Sequence, residues 1–235
     1  MSLTALLLSA ILIGAAALAL RWLWRSHRRE AVRALSERLA WIARYRFPPA
    51  LENRLVEALP QLDRSAREQV LEHLRAYFLL VATRPGERLG MPSKAVDTAW
   101  HEFILLTRDY SEFCARAFGR YLHHAPHDGD LAARDAALGQ TRYAIEQSRV
   151  QLAALGAGPI AGGAAMTLFE LDEQLEIHGG FSYTAEDFER FERARQAARN
   201  SGSAETFVAD GERAAEKGPS GQGPGGDDGG GCSSG

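Results

Sequence analysis

Cysteine is scarce: Cys114 and Cys232 are the two in 235 residues. That excludes a disulfide scaffold and a four-cysteine zinc site within one chain. A strong excess of one charge is also missing. The 27 basic and 30 acidic side chains leave a net −3, which argues against a dedicated nucleic-acid binder. No run alternates apolar and polar residues as a half-buried strand would. Charge is absent altogether from residues 3–20, LTALLLSAILIGAAALAL. What is present is a 46% hydrophobic, 24% charged chain, a composition that builds a globular body.

The charge is unevenly placed. Residues 21–46 hold eight arginines against Glu30 and Glu37, a local +6. The rest of the chain, 19 basic residues against 28 acidic, carries −9. An 18-residue apolar helix is about 27 Å long, close to a hydrocarbon core of about 30 Å. Trp22 and Trp24 follow at once, a placement that suits a headgroup interface, and Arg21, Arg25, Arg28 and Arg29 suit anionic lipid. A cleaved signal peptide is the alternative, but it wants basic charge before its apolar region. Here all of it comes after. The segment therefore reads as an uncleaved membrane anchor. The basic flank would keep the body in the cytoplasm.

Helical periodicity continues through Leu35, Leu39 and Ile42 to Pro48-Pro49, where proline stops it. Further helices are expected over 49–59, over 64–83 with Asp63 as cap, and over 94–109 with Ser93 as cap. Others follow over 112–118 with Ser111 as cap and Gly119 as terminator, over 130–155, over 168–177, and over 185–199. The last opens on Thr184 and Asp187, which resemble a capping box. Residues 156–163 read as a hinge. Half of residues 218–235 are glycine, so the tail cannot bury enough apolar surface to offset its ordering entropy. The expected fold is all-α: a transmembrane anchor over 1–24, a basic juxtamembrane helix over 25–47, an irregular helical bundle over 48–199, and a disordered Gly-rich tail over 200–235.

The chemistry-bearing stretch is 91–127, MPSKAVDTAWHEFILLTRDYSEFCARAFGRYLHHAPH. Asp97 and His101 are four apart and share a helix face. An antiparallel hairpin turning near Tyr110 would bring residues 119–124 back beside them, assembling Asp97, His101 and one or both of His123 and His124. Cys114 would face Thr107, too far from His101 to join. Imidazole and carboxylate are ligands for Zn²⁺ or another divalent metal, and three protein ligands leave a position open. Glu102 points about 100° away from His101. The competing expectation is a buried His101–Asp97 pair that orients the hairpin, with His127 in a loop. Glycines at 156–163 lack the strand and Lys-Ser/Thr of a phosphate loop.

The block VDTAWHEFILLTRDYSEFCARAFGRYLHH also resembles the glycine-rich domain-containing protein-like family, a domain of unknown function. The matching positions are Asp97, Trp100, His101, Phe113, Cys114, Phe118, Gly119, Leu122, His123 and His124. Where relatives carry Thr-His after the Trp-His pair, this chain has Glu102-Phe103. The resemblance implies that the aspartate and the histidines act together, and it supplies no reaction.

No complete catalytic motif is present. The sequence therefore favours an interaction or scaffolding module at the cytoplasmic face of the cell membrane. Its protein partner is unidentified, and no nucleic acid is expected. The alternative is a metal-dependent enzyme built on Asp97, His101, His123 and His124, with one divalent ion such as zinc as cofactor.

Overall fold

A computed structural model of the chain describes residues 3–124, 130–154, 164–165 and 167–201, without the side chains of 3–13, 15 and 149–154. The hinge at 156–163, His127, the tail beyond 201 and Cys232 lie outside the described residues. Among the described residues there are eight helices and no strand.

Helix α1, Leu3–Arg44, runs without a break from the apolar segment through the basic one. Its side chains are exposed around Leu18, Leu20, Trp22 and Trp24, and only from Leu35 onward does it join the core, through fully buried Leu39 and Ile42. The expected membrane span is corrected here. No helix among the described residues is long and apolar enough to cross a membrane. The single-pass location in the cell membrane, with a cytoplasmic body, is set aside with it.

Helix α2, Pro49–Ala58, starts on a proline at its first position, where the missing N–H costs nothing. Helix α3, Arg64–Thr83, is capped by Asp63, whose Oδ1 accepts from the Ala66 N–H at 2.7 Å. Its first half buries one stripe. Its second half is buried nearly all round, from Ala76 to Leu80, so α3 is the central helix. Phe78 anchors the core there, with ring contacts to Trp100, Phe103, Phe113 and Phe118 at 4.9–6.4 Å between centroids.

Helix α4, Lys94–Leu105, is capped by Ser93 as expected, but it ends four residues before the expected limit. Helix α5, Thr107–Phe118, follows after the single residue Leu106. Ser111 lies inside α5 and caps nothing. Neither glycine nor proline marks this break. It lets Phe103 and Tyr110 meet edge to face at 5.2 Å on opposite sides of the turn, so packing, not local propensity, sets it. Gly119, at φ 72°, ends α5 in the left-handed conformation that glycine adopts freely.

Helix α6, Leu131–Ala154, packs against the last helix, α8. At Gly139 the approach is so close that a Cβ would stand 2.3 Å from the Phe191 carbonyl oxygen. The helix expected over 168–177 shrinks to one turn, α7, Leu171–Gln174. Glu176 takes φ 49°, and the Ile177 N–H turns back to the Asp172 carbonyl at 2.8 Å. Helix α8, Ala185–Asn200, carries the complete capping box of Thr184 and Asp187.

Candidate metal centre

Two carboxylates define α4. The first belongs to Asp172, which is 3% exposed. Its Oδ1 accepts from Ser93 Oγ at 2.6 Å and from the Ala95 N–H at 3.1 Å. Its Oδ2 accepts from the Lys94 N–H at 2.7 Å and the Phe181 N–H at 2.9 Å. An acidic side chain from the α7 turn thus satisfies the orphan donors of another helix's N-terminus. Periodicity could not reveal this, because Asp172 lies 77 residues from Ala95 and reads locally as one more charge in a solvated turn.

The second carboxylate is Asp97, within the first turn of α4 itself. His101, four residues on, places Nδ1 2.9 Å from the Asp97 backbone carbonyl and 3.4 Å from its Oδ2. A carbonyl only accepts, so Nδ1 carries the proton, and Nε2 keeps the free lone pair of the neutral ring. His124 arrives from the segment after α5 and sets Nε2 3.3 Å from Asp97 Oδ1. The two imidazoles meet edge to face at 4.4 Å. Candidate ligand atoms of Asp97, His101 and His124 all lie within 4.8 Å of one another. His101 is half exposed, Asp97 about one third and His124 14%, so the trio opens to solvent on the His101 side.

The structure therefore brings together three of the four residues the sequence singled out. His123 stands apart, its ring 4.9 Å from Tyr121. Of this adjacent pair, His124 faces Asp97 and His123 faces Tyr121. His101 is not the buried residue the competing expectation required. Cys114 is fully buried and outside the trio. Burial pushes its thiol up, while hydrogen bonds with the Leu122 backbone and Tyr110 pull the other way. Glu102 points away from the trio and pairs with Arg54 Nε at 2.5 Å. The basic and aromatic set Arg21, Trp22, Trp24, Arg25, Arg28 and Arg29 lies on the exposed part of α1. Trp22 is 69% and Trp24 64% exposed, and the Arg28 guanidinium sits 5.4 Å from the Trp24 ring.

The trio rests on a buried polar wall. Trp100 Nε1–H donates to Tyr110 Oη at 3.0 Å, and Tyr110 O–H donates to the Leu122 carbonyl at 2.6 Å. The Trp100 ring meets the His124 ring edge to face at 4.3 Å. Burial pushes the Tyr110 phenol well above its ordinary range, so it keeps its proton and stays a donor. Tyr77, also buried and pushed up, first by burial and then by the Asp97 charge, donates to the Leu89 carbonyl at 2.8 Å.

Fold and site together define a class: an all-α domain that presents one carboxylate and two imidazoles from a helix and the segment folded back onto it. The sequence model of the UCP032817-like family matches residues 37–205, and the chain belongs to that family. This corrects the resemblance to the glycine-rich domain-containing protein-like family. That likeness rested on one block of about 30 residues, whereas the family match extends over most of the helical domain. No curated protein and no solved structure matches the chain.

Proposed function

We propose that this domain binds one divalent transition-metal ion through Asp97, His101 and His124. The observation that carries the reading is the convergence of the three ligand groups within 4.8 Å. Zn–N and Zn–O bonds of about 2.0–2.1 Å put tetrahedral ligand atoms about 3.3 Å apart. The 3.3 Å separation of Asp97 Oδ1 and His124 Nε2 matches that edge. The His101 Nδ1–H bond to a backbone carbonyl supports it further, because metal-bound imidazoles usually donate their other nitrogen in this way. Two nitrogens and an oxygen favour zinc or a neighbouring divalent ion over calcium or magnesium. Three ligands leave a position for water or a small ligand. Glu102, held by Arg54, is not placed to serve as a base there.

Zinc titration of the untagged full-length chain against a chromophoric chelator tests the proposal. It expects about one tight site, lost in Asp97→Ala and His124→Ala and retained in His123→Ala. Equal binding by all four proteins, or none by wild type, contradicts it.

A second reading, an interaction or scaffolding module, is supported by the exposed pairs Leu18–Trp22 and Leu20–Trp24 on α1, since residues four apart share a helix face and exposed apolar surface marks contact sites. In its simplest form the surface pairs two copies. Light scattering would then show an assembly that Trp22→Ala/Trp24→Ala loses, and monomers for both proteins would remove that form.

A further inference from the structure

The segment that delivers His124 has no regular structure. After Gly119, residues 119–124 form neither helix nor strand, so no backbone ladder fixes where the imidazole stands. Two other contacts do. The Leu122 carbonyl, two residues before His124, accepts from the Tyr110 hydroxyl at 2.6 Å. The Trp100 ring, against which His124 packs at 4.3 Å, is tied to the same hydroxyl through its Nε1–H at 3.0 Å. Tyr110 is fully buried and Trp100 4% exposed, so water does not substitute for either bond. One phenol therefore holds both the segment that carries His124 and the wall behind it.

We infer that Tyr110 is a positioning residue that sets the His124 imidazole opposite Asp97 before any metal arrives, through its paired hydrogen bonds to Trp100 and Leu122. The inference rests on the metal-binding reading above. Tyr110 touches no metal. Its hydroxyl acts on affinity by limiting the positions His124 samples, the same effect by which outer-shell hydrogen bonds raise metal affinity elsewhere. Tyr110→Phe keeps the ring that packs on Phe103 and Tyr121 and removes the hydroxyl, with its bonds to Trp100, Leu122 and Cys114.

The test is competitive zinc titration of full-length Tyr110→Phe, beside a matched control. Tyr183→Phe also deletes a hydroxyl that donates to a backbone carbonyl, Pro92 at 2.9 Å, but one unconnected to residues 122–124. The expected result is a loss of zinc affinity of about 10–100-fold in Tyr110→Phe and a change within about twofold in Tyr183→Phe, while both lower the melting temperature. Unchanged affinity in Tyr110→Phe overturns the inference, as does an equal loss in the two variants, which would mark a general loosening of the fold. Should Tyr110→Phe fail to fold, Trp100→Phe removes the other half of the link, and its affinity is expected to fall in the same direction. If the wild-type chain binds zinc and only the Tyr110 comparison fails, the metal reading stands and the positioning role falls. If wild type binds none, both fall.

Discussion

Asp172 and Asp97 both attach to α4, one across its first turn and one from within it, and their surroundings differ at every point. Asp172 is 3% exposed and takes four hydrogen bonds, three from backbone N–H groups and one from a serine hydroxyl. Its accepting capacity is filled by the chain itself. Asp97 is about one third exposed and faces two imidazoles at 3.3 and 3.4 Å. Those contacts are longer than good hydrogen bonds, and the separation from His124 Nε2 fits the edge of a metal polyhedron. A carboxylate whose partners are all donors of the fold is a structural fixture. A carboxylate whose partners are side chains able to ligate a metal, open to water, is available for binding. The same division separates the imidazoles. His73 is buried between the Gln69 carbonyl at 2.7 Å and the Thr167 hydroxyl at 2.8 Å, while His101 stands half in solvent.

The sharpest way to break this comparison is to remove each carboxylate. Asp172→Ala is expected to cost about 3–5 kcal/mol in urea unfolding, because buried donors at the α4 N-terminus lose their acceptor. Asp97→Ala is expected to cost about 0–1 kcal/mol in the metal-free protein, while abolishing zinc binding. Similar losses of stability in the two variants would end the distinction.

The imidazoles sharpen it through pH. Burial holds His73 below its ordinary range, opposed by the Gln69 backbone bond and the Glu72 charge. The folded chain therefore binds fewer protons there than the unfolded chain, whose histidine titrates near pH 6.5. Stability from this group is flat above about pH 7 and falls as pH drops through 6.5 toward the folded value, by at most about 1.4 kcal/mol per pH unit. His73→Gln is expected to flatten that part of the profile between pH 7 and 5. A slope unchanged by the substitution would contradict the assignment.

The smallest expected effect is at the open ring. His101→Ala is expected to change metal-free stability by less than about 1 kcal/mol, and zinc is expected to raise the melting temperature of wild type but not of this variant. A large loss without metal would mean that His101 acts as a core residue despite its exposure.

Much of the framework was legible because it is local. Asp63, Ser93 and the Thr184–Asp187 box cap the helices they precede, and Gly119 ends α5, each through contacts within a few residues. The return of the chain beside Asp97 was legible from helix lengths. The turn itself was misplaced, since the break at Leu106 comes from Phe103 and Tyr110 packing across it. Asp172 was illegible for the same reason, its partners at the α4 N-terminus lying 77–79 residues away. Sequence could not choose between His123 and His124, because which of the two faces Asp97 depends on how an irregular segment packs. The apolar opening segment was legible as helix, but the membrane reading drawn from it and from the flanking tryptophans and arginines did not survive, since no helix among the described residues is long and apolar enough to cross a membrane.

The most direct test of the central claim is elemental analysis of the untagged full-length chain after zinc loading and dialysis, beside Asp97→Ala and His124→Ala that retain wild-type helicity. The account predicts about one zinc per wild-type chain and almost none in either variant. Metal-free wild type, or variants that keep the ion, would contradict it.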